Sequence, residues 1–152
     1  MSECYGLIDR GIHQYYTYMS KVFAAIGNAQ NEYNWLITAC EAYPQDSEIE
    51  AMLAADYCWL TGDELSALIE REDFQWIWAV LSGFAKDIPL SEVLRYPLPE
   101  VHDRPAIQHP LARVEIMPSD STYTMILSRN RTIIDKYRET YPQTEALTIS
   151  GK

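Results

Sequence analysis

Apolar residues follow two different spacings along this chain, and each spacing predicts a type of secondary structure. Spacings of three and four residues, typical of one buried helix face, predict helices over residues 12–26 and 47–56 and after Thr61. Residues 33–40 and 74–81 are instead apolar on both sets of alternating positions. Such segments are typical of strands that are covered on both faces.

Polar residues mark where several of these helices begin. Ser47 and Thr61 are each followed three residues later by a glutamate, which is the spacing of a capping box. Asn130 can cap one more helical segment, which Pro142 is expected to end. Glu64, in the first turn of its helix, therefore has a structural use as well as a charge.

Prolines interrupt the second half of the chain. Five of its eight prolines lie between Pro89 and Pro110. A long helix or strand is not compatible with that density, because proline lacks the backbone N–H. We therefore predict an ordered Pro-rich loop over residues 89–112, with a short helical turn near residues 91–95. Loops of this length are commonly functional or mobile.

The segment after this loop has the pattern of a hairpin. Residues 114–117 and 122–127 predict two strands joined by a turn-rich tetrapeptide. Glu115 alternates with Val114 and Ile116, which predicts that the first strand has one face in water.

Taken in order, helices and strands mix without regular βαβ alternation, and residues 147–149 could add a short edge strand. This order favours an α+β fold over a doubly wound one. We expect a single domain over residues 1–152, with helices packed on a curved, mainly antiparallel sheet. The 152 residues and 18 aromatic side chains are sufficient for a core without disulfide or metal support.

Charge is the feature that bears most on function. Residues 41–73 hold ten of the chain's 22 acidic residues and one of its 12 basic residues, Arg71. Nine of the ten units of net negative charge therefore come from this segment, which we call the acidic segment. Concentrated charge produces a local field that a basic partner can sense.

The acidic segment has two interpretations. It can be a solvated face combined with two helix N-termini. It can also be a docking surface for a cationic protein, because aromatic residues lie between the acids and protein interfaces favour aromatic anchors ringed by charge. On the second interpretation, the partner-binding residues are Glu48, Glu50, Asp56, Tyr57, Trp59 and Glu70.

The Pro-rich loop contains the polar residues that most resemble an enzyme site. A histidine beside an aspartate, as in His102–Asp103, can act as a general base, and His109 adds a second imidazole. The His-x6-His spacing matches no metal motif, and no nucleophile has a recognisable context. We therefore assign no catalytic residue, metal ligand or cofactor.

A third cluster is basic and lies near the C-terminus. It consists of Arg129, Arg131, Lys136 and Arg138, with Asp135 among them. Cations at a helix start oppose the helix dipole, so a nearby acid should compensate. We expect this cluster to pair with the acidic segment; a phosphate site is the alternative, although no glycine-rich loop is present.

Composition argues against several classes of partner. A net charge of −10 disfavours binding to nucleic-acid backbones and to anionic membrane surfaces. No window approaches 18 uninterrupted apolar residues, so no membrane span is expected. The three cysteines lack close metal spacing, and the N-terminus lacks a secretory signal. These features predict reduced thiols in a cytoplasmic protein.

Several short segments together resemble a family of small bacterial proteins of unknown function. They are Arg10-Gly11-Ile12, Tyr33-x-Trp35, Glu41-x-Tyr43, Leu60-Thr-Gly-Asp-Glu-Leu65 and Leu81-Ser-Gly-Phe84, followed by the hairpin and helix. The resemblance spans most of the chain, but the Pro-rich loop is longer here. It implies an α+β fold, no known activity and no catalytic residue. The general build is also similar to immunity proteins, which are small acidic domains that neutralise basic toxins.

These observations favour a non-enzymatic, immunity-like domain that binds a basic protein partner. One alternative is a small-ligand-binding protein or hydrolase-type enzyme with a site at the Pro-rich loop. The other is a homo-oligomeric structural protein, in which exposed aromatic residues are buried between subunits.

Overall fold

The computed structural model describes residues 4–10, 17–119 and 123–147, in which one sheet is covered on both faces. The strands are β1 (Tyr5–Asp9), β2 (Thr17–Tyr18), β3 (Asn34–Ala42), β4 (Tyr57–Thr61), β5 (Gln75–Phe84), β6 (Val114–Ser119), β7 (Tyr123–Ser128) and β8 (Glu145–Leu147). The helices are α1 (Met19–Ala25), α2 (Ser47–Ala54), α3 (Gly62–Arg71), α4 (Leu90–Val93) and α5 (Arg131–Thr140), with a 3-10 turn at Ala29–Glu32.

All strand pairs of the sheet are antiparallel. The order across the sheet is β4-β3-β5-β6-β7-β1-β8, and the short β2 pairs with β5. The sheet does not close on itself, so β4 and β8 lie at its two edges. The predicted α+β class is confirmed.

The two faces of the sheet have different covers. On one face, α1, α2, α3 and α5 bury a core that includes Trp35, Leu81 and Ile116. On the other face, the Pro-rich loop packs against the alternate positions of the same strands, which include Leu36 and Met117. We call these the helix face and the loop face. The prediction that β3 and β5 are covered on both sides is confirmed.

The helix starts were predicted with mixed success. The Thr61–Glu64 capping box is present, and Asn130 accepts the N–H of Thr132 at 3.0 Å. The cap assigned to Ser47 is wrong, because the side chain of Asp46, one residue earlier, caps α2. Asp46 is the capping residue because its carboxylate accepts hydrogen bonds from two backbone N–H groups.

The first predicted helix is confirmed over part of its described residues. Within residues 17–26, Met19–Ala25 is helical, whereas Thr17–Tyr18 forms β2 beside β5. Residues 12–16 of that prediction lie outside the described residues, as do residues 148 and 149 of the predicted edge strand. The one described residue of that prediction, Leu147, is the last residue of β8, an edge strand that pairs with β1.

The Pro-rich loop is ordered and forms a layer of its own. Its helical turn is α4, close to the predicted position. The prediction of a wet face on β6 is wrong, since Glu115 is 1% exposed. The alternation was correct, but the loop lies across that face and supplies the hydrogen-bond partners described below.

Candidate functional site

The acidic segment covers the end of β3 followed by α2, β4 and α3, and five of its ten acids lie on the two helices. Eight of its ten acids are exposed, and Asp46 and Glu72 are half-buried. Glu48 and Glu50 lie on α2, while Glu70 lies on α3. The local sequence thus places most of these carboxylates in water.

Arg71 joins the two helices. Its Nη2 lies 2.6 Å from Oδ2 of Asp46, and its Nη1 lies 2.9 Å from Oε1 of Glu48. One cation therefore serves two carboxylates, and the group of three carries one net negative charge. Within the described ranges, Arg71 is the only cation at ion-pair distance from the acidic segment.

Backbone donors stabilise the ionised form of Asp46. The N–H groups of Ile49 and Glu48 donate to Oδ1 at 3.1 and 2.9 Å. The hydrogen bond from Ile49 is the largest cause that lowers the pKa of Asp46, and Arg71 adds to it. Glu72 accepts the N–H groups of Gln45 and Asp46 at 2.8 and 2.9 Å, which ties the start of α2 to the end of α3.

Four acids of the segment have no such role. Glu50, Asp56, Asp63 and Glu70 are exposed, and their carboxylates make no hydrogen bond or ion pair with any residue that the structure describes. Three of these, Glu50, Asp56 and Glu70, are among the predicted partner-binding residues. The fourth predicted acid, Glu48, is the one bound by Arg71.

The structure does not bring the predicted aromatic anchors to the same face as the helices. Because side chains alternate along a strand, Tyr57 and Trp59 of β4 point to the loop face, whereas Cys58 and Leu60 point to the helix face. Trp59 packs against Phe84, with ring centroids 5.9 Å apart. Tyr57 and Trp59 are each half-buried there.

An apolar groove lies between α2 and α3 instead. Its volume is about 280 Å³, and its walls include Ile49, Met52, Leu60, Ala67 and Leu68. Sequence patterns showed the apolar stripe of each helix but not this groove, which depends on how far apart the two helices lie. The only hint in the sequence was Ala67, a small residue on α3 that leaves space where a longer side chain would fill it.

The Pro-rich loop contains two histidines. The side chain of His102 points under the loop toward β6 and is 8% exposed. Its Nδ1 accepts the N–H of Arg104 at 3.1 Å, so Nε2 carries the hydrogen and donates to Oε2 of Glu115 at 2.8 Å. The other oxygen of Glu115 accepts the N–H of Gln108 at 3.0 Å. Asp103 is exposed and takes no part.

His109 has different partners and a structural role. Its Nε2 donates to the carbonyl of Val93 at 2.9 Å, and its Nδ1 accepts the N–H of Leu111 at 3.1 Å. The ring also packs edge-on against Phe84 and Tyr96. Both nitrogens of each histidine are thus engaged, and the two rings share no partner that could define a common site.

The basic cluster near the C-terminus does not pair with the acidic segment within the described residues, so that expectation is wrong. Arg131 pairs with Asp135 one turn along α5, at 3.4 Å. Arg129 and Arg138 donate to the backbone carbonyls of Ala112 and Thr144. The basic cluster therefore does not neutralise the charge of the acidic segment.

Another polar contact that the sequence did not reveal is buried between β1 and α5. The hydroxyl of Tyr137 donates to the carboxylate of Asp9, and both side chains are almost wholly buried. Burial is the main cause that raises the pKa of Tyr137, and the contact with Asp9 raises it further. This pair holds α5 on the sheet, far from the acidic segment in sequence.

Two negative results apply to the part of the chain that the structure describes. It contains no group of three or more His, Cys, Asp or Glu side chains that could hold a metal ion. It also contains no helix with the length and apolar character that a membrane crossing requires.

The fold and the site together define an open-sheet α+β domain with an acidic helical face. The chain belongs to the DUF2691 family, described as proteins of unknown function, which matches residues 9–150. A search of curated proteins and a search of solved structures each found no match. The resemblance to a family of unknown function is thereby confirmed.

Proposed function

We propose that this chain is a non-enzymatic domain that binds a basic protein through the acidic surface of α2 and α3. Its action would resemble that of an immunity protein, which covers the basic surface of a toxin. We further propose a bacterial cytoplasmic setting, which agrees with the three free thiols.

The observation that carries the proposal is the charge balance of the acidic segment. The segment contains ten carboxylates and one cation, Arg71, which is already bound by two of the carboxylates. Four exposed carboxylates have no partner among the described residues. Charges of one sign on a rigid surface increase the rate of association with an oppositely charged protein and restrict the choice of partner.

A binding assay with matched charge variants tests this proposal. The probes are the purified basic proteins encoded beside this chain's own gene. The test variant replaces four exposed acids of the acidic segment with lysine: Glu48, Glu50, Asp56 and Glu70. The control variant makes the same number of replacements at exposed acids elsewhere: Asp87, Glu100, Asp103 and Glu139.

Both variants change the net charge equally, so they separate a local surface from the overall charge. We expect the test variant to lose binding and the control variant to keep it, and we expect the association rate of the wild type to fall as salt is added. Equal binding by the two variants would reject the acidic helical face as the docking surface.

A homo-oligomeric protein remains an alternative. Tyr43, at 67% exposed, is a large aromatic residue available for contact between copies. Light scattering at high protein concentration distinguishes the alternatives, because a homo-oligomer has a multiple of the 17.5 kDa chain mass.

A further inference from the structure

The groove between α2 and α3 combines an apolar floor with charged ends. Ile49 and Met52 form one wall, and Ala67 and Leu68 form the other. Glu64 and Arg71 also line the groove, and they are seven residues apart on α3. Since a helix rises about 1.5 Å per residue, the groove extends about 10 Å along α3.

The size of the groove restricts what it can hold. Sites for whole drug-sized molecules have volumes of roughly 300–1,000 Å³. The present groove, at about 280 Å³, lies at the lower limit of that range, and its lining is mainly apolar. This space suits one or two apolar side chains of a larger partner.

The surroundings of the groove determine the charge of that partner. Arg71, at one end, is neutralised by Asp46 and Glu48. Glu64, at the other end, accepts the N–H of Thr61 at 2.8 Å and is exposed. The three charges at the Arg71 end sum to one negative charge, and Glu64 adds a second at the other end. An apolar side chain that enters the groove should thus be flanked by Lys or Arg.

We propose that this groove anchors a short basic amphipathic helix of the partner, with two apolar side chains at positions i and i+4. Such side chains are about 6 Å apart along a helix axis, which fits within the groove of about 10 Å. Lysine or arginine residues beside them would contact Glu64 at one end of the groove and the exposed carboxylate of Glu48 at the other. The inference rests on the proposed function and specifies the chemistry of the partner.

A labelled synthetic helix provides the probe. It carries leucine at two positions four residues apart and lysine at most others, and its matched counterpart has serine in place of both leucines. Fluorescence anisotropy measures the affinity of each peptide for the full chain. We expect the leucine peptide to bind about tenfold or more tightly than the serine peptide.

Two tryptophan variants locate the binding point. Ala67→Trp fills the groove from its exposed wall, whereas Ala51→Trp places the same bulk on an exposed position of α2 that does not line the groove. We expect Ala67→Trp to reduce the affinity for the leucine peptide about tenfold, and Ala51→Trp to leave it unchanged. Thermal unfolding checks that both variants are folded.

NMR of methionine methyl groups gives a second measurement that needs no substitution in the groove. Met52 lines the groove, whereas Met117 and Met125 are buried on the loop face. We expect the leucine peptide to shift the Met52 signal most. A shift confined to the other methionines would overturn the inference, as would equal affinity of the two peptides.

The outcomes separate this inference from the proposed function. If Ala67→Trp binds the leucine peptide normally while the fourfold lysine variant does not, the acidic surface remains and the groove is rejected as the anchor. If the fourfold variant also binds normally, both fail. If the chain dimerises and Ala67→Trp prevents this, the occupant is a second copy and the basic-helix inference is overturned.

Discussion

His102 donates a hydrogen bond from Nε2 to the carboxylate of Glu115, and this contact fixes the Pro-rich loop to the middle of the sheet. Glu115 lies on the central strand β6, while His102 belongs to a loop without regular structure. The side chains are 8% and 1% exposed, so their hydrogen bonds are shielded from water. Shielded contacts of this kind contribute more than exposed ones.

Removing one member of this pair should destabilise the fold. We expect His102→Ala to reduce the free energy of unfolding by about 3 kcal/mol, because it leaves the buried Glu115 carboxylate with fewer donors. Urea denaturation measures the change. The control is Arg95→Ala, which removes an exposed contact to Glu92 at 3.5 Å and should cost about 0.5 kcal/mol or less. Similar losses in the two variants would show that the His102 contact is unimportant.

Gly62 is required by close approach of the backbone. A Cβ at this position would lie 2.2 Å from the carbonyl oxygen of Gln30 and 2.7 Å from Cα of Asn31. Helix propensity alone predicts that Gly62→Ala stabilises α3 by about 1 kcal/mol. We expect the opposite sign, with a loss of about 2 kcal/mol or more, because backbone atoms must move. Thermal or urea unfolding decides between the two, and a stabilised variant would contradict the packing described here.

Asp46 should make stability depend on pH in acid. Its folded pKa lies below the ordinary value of 3.8, so the ionised side chain stabilises the fold above that value, and the contribution is lost as the pH falls through the folded pKa. Asp46→Asn keeps a cap for α2 but removes the charge that binds Arg71. We expect the variant to be less stable than the wild type at neutral pH and equally stable in strong acid. Urea denaturation across this range measures the difference, which should not persist at the lowest pH.

The cysteines should react slowly in the folded chain. Burial is the main cause that raises the pKa of Cys40 to about 12, and burial likewise raises the pKa of Cys4 and Cys58. Because the thiolate is the reactive form, the thiol of Cys40 should react with Ellman's reagent far more slowly than a free thiol near pH 8. Unfolding should release all three thiols. Rapid reaction of Cys40 in the native chain, identified with Cys40→Ser, would refute this.

Much of the fold could be predicted because local signals carry it. Thr61 and Asn130 form caps that require only their own neighbours in sequence, and the apolar positions of β3 and β5 reflect burial on both sides. The strands β1 and β4, each five residues long, were missed because their pairing depends on segments that are distant in sequence. β1 pairs with β7 and β4 pairs with β3, and neither partner is adjacent to its strand in the sequence.

The site was predicted less completely for the same reason. Charge is a sum over residues, so the acidic segment was visible without any structure. The direction in which a side chain points depends instead on the secondary structure. Tyr57 and Trp59 lie beside acids in sequence, yet strand alternation directs them to the loop face. Glu115 had the pattern of a solvent-facing residue and became buried because the loop from a different part of the chain covers it. The groove between α2 and α3 could not be predicted, because it depends on the distance between the two helices, which no local sequence pattern reports.

The open edge at β4 has a consequence for how copies of this chain meet in concentrated solution. An exposed strand edge offers unpaired backbone groups to a like strand, and natural sheets commonly oppose such pairing with charge. Asp56 precedes β4 and Asp63 follows it, so two copies aligned edge to edge in opposite directions would bring carboxylates together at both ends. Their mutual repulsion disfavours aggregation through this edge, and acid or high salt should weaken that protection.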